Sequence, residues 1–202
     1  MPEVECILEH QDMIGESPLW SLGEGALYWV DVTAPCIYRL VLATRHLTRW
    51  SMPEAVGSIA FRRNGGLVAA MRNGIYALDL ESGRREALFR HGSDRPGLRF
   101  NDGKCDRAGR FWSGTMDDQA FEPLGGEVAQ YDAAGHLIRT VPLPVRYPLM
   151  CSFGGPDIDI LFVTTGRVLA TPDELAAQPL NGSLFAVHGT GSTGIPEGEY
   201  GR

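Results

Sequence analysis

SPLWSLGEGALYWVDVTAPCIYRLVLATRHLTRWSM, Ser17 to Met52, holds four short apolar runs separated by polar turns. The runs are SPLW, ALYWVDV, CIYRLVL and HLTRWSM, each the length of a β-strand. The arrangement returns downstream. SIAF, GLVAAMR, GIYALDL and REALFRH form a second unit, and GKCD, RFWSGTM, EVAQYDA and HLIRTVPL a third. CSFG, ILFVTTG and SLFAVHG begin a fourth. Aligning Leu27, Leu67, Phe111 and Leu161 gives intervals of 40, 44 and 50 residues. Four strands at a period near 40–45 residues is the repeat of a propeller blade. A lone four-stranded sheet cannot bury both faces, whereas blades stacked around an axis cover one another. The expected fold is therefore all-β, a β-propeller of four-stranded blades with about four units, forming one domain over residues 1–202. A β-sandwich also uses short strands and glycine-rich turns, but it does not require whole units to recur.

Composition agrees. The chain has 202 residues, 25 of them glycine and 13 proline, which favours many short elements over long helices. One helical pattern stands out in TPDELAAQPL, Thr171 to Leu180: an N-cap threonine, a proline at the first position and acids in the first turn. It predicts a short helical turn in a loop. The net charge of −7, with no basic tract, argues against nucleic acid as a partner. No apolar run approaches the ~20 residues of a membrane helix, and MPEVECILEH lacks the basic start of a signal peptide, so a cytoplasmic location is expected. Cysteines at 6, 36, 105 and 151 form no CxxC pair and read as scattered buried thiols. The histidines fall in no HxH or HExxH pattern, and no GxSxG elbow, GxGxxG or Walker motif occurs.

In a propeller the innermost strand of each blade starts at the central channel, so polar residues ahead of those strands converge on the axis. LRFNDGK places Arg99, Asn101 and Asp102 there, and IGESPLW places Glu16. The matching places elsewhere supply Ser58, and Tyr147 with Met150. Glu16 and Asn101 offer hard oxygen donors suited to a divalent cation. The plainer reading of each is a turn: a surface carboxylate before Ser-Pro for Glu16, and an Asx-turn for Asn101 and Asp102. Arg99 can pair with a surface acid or hold a substrate carboxylate or hydroxyl cluster through its planar fork. Asp117 and Asp118, in GTMDDQAFEPLG, read as an acidic loop able to lid a site or as plain solvated charge.

GESPLW with ALYWVDV, GSIAFRRNGGLVAAMRNGIYALD, RFNDGKCDRAGRFWSGTMDD and PLPVRYPLMCSFGGPDIDILFVTTGR together resemble the regucalcin/gluconolactonase family, also called the senescence marker protein family. The resemblance implies a six-bladed propeller with one divalent cation (Ca, Zn, Mn or Mg) in its channel. It implies metal-dependent hydrolysis of a small-molecule sugar lactone, a carboxylic ester hydrolase activity of the gluconolactonase type. It assigns Glu16 to the metal, Asn101 to metal and substrate, and Arg99 to substrate. The chain also departs from the family pattern. The Pro-Asn-Gly and Pro-Asp-Gly turns that supply a second asparagine ligand and the aspartate base are absent. The catalytic base is therefore unassigned. About two middle blades are missing, with the junction expected near 120–131. Metal affinity should fall, and a ring that fails to close would self-associate. The alternatives are a non-catalytic propeller remnant or binding module, and a truncated gene product.

Overall fold

β-Strands alternate their side chains between two faces, and strand β3 (Ala26–Asp31) is buried along its whole length. Its even-numbered residues Ala26, Tyr28 and Val30 join one apolar cluster, and Leu27 and Trp29 join another. A strand with two buried faces must lie in a sheet covered on both sides, which is the propeller arrangement. The computed structural model describes residues 2–90, 98–105, 109, 111–117, 127–131, 137–168 and 170–201.

Three complete blades are present among them. The first is β2 (Gly15–Ser21), β3, β4 (Cys36–Val41) and β5 (His46–Ser51) in sequence order. The second is β6 (Val56–Phe61), β7 (Leu67–Met71), β8 (Gly74–Leu78) and β9 (Arg85–Arg90). The third draws on both ends of the sequence. β14 (Pro148–Gly154), β15 (Ile160–Thr165) and β16 (Leu184–His188) are completed by β1 (Glu3–Leu8) as the outer strand. Glu3 pairs with His188 and Val4 with Val187, all antiparallel. That closure explains why the fourth sequence unit shows only three runs.

The third sequence unit behaves differently from its expected single sheet. β10 (Leu98–Cys105) pairs with β11 (Phe111–Asp117), and β12 (Glu127–Tyr131) pairs with β13 (Leu137–Pro142), as separate two-stranded sheets. Packing accounts for the split. β10 lies against β6 and β7 of the second blade. Val141, Leu143 and Val145 instead pack on Val163, Phe185 and Val187 of the β14–β16 blade. The two halves therefore cover opposite ends of the row of complete blades.

Aromatic pairs join the blades. Trp20 stacks on Phe162 at 5.5 Å, linking the first blade to the β14–β16 blade. Tyr28 meets Phe61 edge-on at 5.3 Å, linking it to the second. Each such side chain contributes roughly 2–3 kcal/mol through buried apolar area. Helix α1 (Pro172–Ala177) starts where the sequence places it, with Thr171 and Glu174 forming a capping box. The cysteines are free thiols, as expected, but only Cys36 is buried and Cys151 is exposed. Among the described residues, no helix is long and apolar enough to cross a membrane.

Candidate functional site

Each innermost strand carries a β-bulge near its start. The register shifts between Glu16 and Leu19 in β2, Val56 and Ser58 in β6, Phe100 and Gly103 in β10, and Pro148 and Met150 in β14. A bulge adds an unpaired residue and re-aims side chains, and here it does so at the axial end of every innermost strand. Glu16, Asn101 and Asp102 all sit at these irregularities.

The bulges lock together. Ser17 has φ of 53°, a left-handed conformation that costs a non-glycine residue about 1–2 kcal/mol. Its contacts hold it there: its N–H donates to the Met150 sulfur at 3.1 Å, and its Oγ accepts the Ile59 N–H at 2.9 Å. Glu16 thus sits on backbone tied to both neighbouring blades. The β6 bulge grips Asn101. The Ser58 hydroxyl donates to the Asn101 carbonyl at 2.9 Å. At Gly57 a Cβ would stand only 2.6 Å from that same oxygen, so the close approach requires glycine.

Arg99 is 2% exposed, and its Nη1 donates to Asn101 Oδ1 at 2.6 Å and to the Phe100 carbonyl at 3.1 Å. The Arg99 guanidinium thus occupies the Asn101 amide oxygen and fixes the orientation of the amide. Asp102 is exposed and accepts the Gly103 N–H at 2.7 Å, the geometry of a local turn. Glu16 is partly buried, and burial pushes its pKa up to about 8. The Asp102 charge raises it further and Arg99 opposes both. The three charged groups therefore share one field at the head of β2 and β10.

The other sequence candidates fall as follows. Ser58 is fully buried as the clamp on Asn101. Met150 accepts the Ser17 N–H from the adjacent blade through its sulfur. Tyr147 leaves the mouth: it is buried, and its hydroxyl donates to Glu174 of α1 at 3.2 Å. Asp117 pairs with Leu98 across the β10–β11 hairpin, level with the site, and Asp118 lies outside the described residues. Sequence reasoning missed the Ser17 strain, the Gly57 contact and the Met150 sulfur bond. All three are contacts between blades, which no local pattern reveals.

The residues present fit a divalent cation in kind but not in number. Glu16 and Asp102 are hard oxygen donors in mutual repulsion, which a cation would relieve. Among the described residues, however, no three His, Cys, Asp or Glu side chains gather closely enough to hold a metal. The amide oxygen of Asn101 is already taken by Arg99.

Residues 14–126 and 122–167 match the family model described as the SMP-30/gluconolactonase/LRE-like region. The chain belongs to that family. Regucalcin of Xenopus laevis is 40% identical, with 96% of each chain covered. The 6-deoxy-6-sulfogluconolactonase of Pseudomonas putida is 25% identical over 91% of this chain and 94% of that protein. The Xenopus alignment runs over 288 positions against 202 residues here, so at least 86 positions have no counterpart in this chain. Among solved structures, a calcium-binding regucalcin of Agrobacterium tumefaciens superposes with a TM-score of 0.88 at 19% identity, covering 96% of both chains. A luciferin-regenerating enzyme superposes at 0.85 with 18% identity and full coverage of both. At those identities the two superpositions establish the propeller fold shared by the SMP-30/gluconolactonase relatives.

Proposed function

We propose that this chain is a sugar-lactone hydrolase of the gluconolactonase type with a reduced cation site. The observation that carries the reading is the Glu16 carboxylate, held partly buried at the axis in one field with Asp102 and Arg99. Family membership supplies the reaction class, and the sulfogluconolactonase relative supports a lactone substrate.

Hydrolysis adds water to the lactone carbonyl, breaks the ring C–O bond and leaves a hydroxy acid. Arg99 is too buried to reach far into the channel, so it acts mainly by fixing Asn101, whose Nδ2–H then orients a substrate hydroxyl. In the metal-free protein the Glu16 carboxyl has a pKa of about 8; a bound cation would lower it, so Glu16 serves as a ligand and the group that takes the proton of the attacking water is unassigned. Glu16 and Asp102 would hold the cation, with water completing its sphere. When bound, a divalent cation polarises the carbonyl and lowers the pKa of coordinated water.

The missing segment is inferred to lie near 120–131, within one domain. The family model supports this by matching in two pieces that meet at 122–126. The protein is expected to act without nucleic acid or membrane, in the cytoplasm. The decisive test is gluconolactone turnover with Ca²⁺, Mn²⁺, Zn²⁺ or Mg²⁺ titrated to millimolar levels. Turnover that depends on the metal and is lost in Glu16→Gln is expected. No turnover at any metal level, from a protein with an intact β spectrum, would leave a non-catalytic propeller instead.

A further inference from the structure

Residues 189–201 contain no helix or named strand, yet they cross three sheets at the end opposite Glu16. Gly194 N–H donates to the Ile158 carbonyl at 2.8 Å, beside the foot of β14. A Cβ at Gly194 would collide with the Phe153 side chain, so the segment lies flat against that strand. Glu197 comes next. Its Oε1 accepts the Ser152 hydroxyl of β14 at 2.9 Å and meets Lys104 Nζ of β10 at 3.1 Å. Farther on, the Tyr200 N–H donates to Phe61 O at 2.6 Å, and the Tyr200 carbonyl accepts the Arg63 N–H at 2.9 Å. Gly201 N–H donates to the carbonyl of Gly109, in the β10–β11 turn, at 3.1 Å.

The order of these contacts matters. β14 and β10 belong to sheets at opposite ends of the row of complete blades. The strap touches β14 first, then β10, and then β6 together with the β10–β11 turn. Glu197 and Gly198 also line a cavity of about 20 Å³ with Ser17, Leu19, Ile59, Gly103 and Met150. The segment is thus the floor of the axis beneath the bulges that carry the site. Two features make Glu197 the central contact. Its side chain is 13% exposed, whereas that of Lys104 is 64% exposed. It is also the one side chain of the segment with described polar contacts to both β14 and β10.

We propose that residues 189–201 are a closing strap, and that Glu197 is a positioning residue that holds β10 on the axis and so sets Arg99 and Asn101 against Glu16. The strap compensates for the β10–β11 sheet, which among the described residues has two strands where a complete blade has four. This inference concerns where β10 sits and stands whether or not the site turns over a lactone.

Amide hydrogen exchange on the full chain tests it strand by strand, because local opening and global unfolding expose different sets of amides. In Glu197→Ala, the amides of β10 (Leu98–Cys105) are expected to exchange at least tenfold faster, while those of β2–β5 stay unchanged. Glu197→Gln still accepts the Ser152 hydroxyl and is expected to restore most of the protection. Lys104→Met removes only the exposed ion pair and is expected to give a smaller rise confined to the same amides. That variant also covers the case in which Glu197→Ala does not fold. Unchanged β10 exchange in Glu197→Ala and Lys104→Met would overturn the proposal. An equal rise in every blade, unrescued by glutamine, would reduce Glu197 to a general stabilising contact and overturn it as well.

Discussion

At the scale of single residues, the site is built at a cost to stability. Glu16 is pushed up to about 8, chiefly by burial, so the folded protein binds its proton more tightly than the unfolded chain does. A raised carboxylate pKa means that the contribution to stability is fully present below the ordinary value near 4.5 and is lost as pH rises through 8. Each pKa unit corresponds to about 1.4 kcal/mol before solvent relaxation discounts it. Glu16→Gln is therefore expected to stabilise the metal-free protein at pH 8 by on the order of 1–3 kcal/mol, with no gain at pH 4. Thermal melts in a chelator at the two pH values measure this. On the proposed reading, Ca²⁺ or Mn²⁺ is expected to raise the melting temperature of the native protein and to leave that of Glu16→Gln unchanged. A Glu16→Gln protein with an unchanged or lower melting temperature at pH 8 would mean that the carboxylate is not held in the field described. Arg99 shows the opposite economy. It is nearly fully buried and spends hydrogen bonds on Asn101 and Phe100, so its charge orients the asparagine as much as any ligand.

At the scale of elements, the connections between strands are as specific as the strands. Asp31 ends β3, is 1% exposed, and gathers four backbone N–H groups. Its Oδ2 accepts from Met13 at 2.7 Å, and its Oδ1 accepts from Ile14, Thr33 and Ala34 at 3.1–3.2 Å. It therefore ties the segment that brings the chain from β1 into β2 to the β3–β4 turn, just ahead of Glu16. Hydrogen bonds to a charged acceptor contribute about 1.5–3 kcal/mol each and do not add fully. Asp31→Ala is expected to cost about 4 kcal/mol, a drop of roughly 10 °C for a chain of this length. Asp31→Asn keeps the oxygen that serves three of the four donors and should cost less than half as much. Calorimetry on the two variants separates a specific anchor from a general loss of charge. Much at this scale was legible in the sequence. The inner strands β2–β4 and β6–β8 follow their apolar runs because a blade between two neighbours needs continuous hydrophobicity bounded by turns, as in ALYWVD and LVAAM. Thr171 announced α1 because its cap is local chemistry. Glu16 and Asn101 could be singled out because each stands in a polar turn motif beside an innermost strand, and both lie at β-bulges. The division between β11 and β12 was not, since pattern cannot say which blade a strand will pack on. Nor was the strap, whose glycines and single proline carry no periodicity and whose contacts lie some 36 to 139 residues away in sequence.

At the scale of the whole molecule, closure decides stability. The row of blades is joined through the Trp20–Phe162 stack on one side and the Tyr28–Phe61 contact on the other, so each sheet protects its neighbour's apolar face. The blade containing β14, β15 and β16 has a further dependence, because its outer strand is β1 from the other end of the sequence. β1 covers the edge of β16 along Glu3 to Leu8, and Val4 and Cys6 pack against the cluster holding Phe185, Val187, Val141 and Val145. Removing it exposes a row of unpaired backbone groups and loosens the seat of the β12–β13 sheet at once. An open edge beside uncovered apolar side chains is a template for association between copies. Deleting residues 2–8 is therefore expected to lower the melting temperature by more than ~10 °C, taking roughly 2–4 °C per kcal/mol for a chain of this size. Light scattering should show association that grows with concentration. The site should suffer less than the fold, since β2 and β10 lie on other blades. A shortened chain that melts within ~2 °C of the intact protein and stays monodisperse would show that β1 is not the closing strand of its blade in solution.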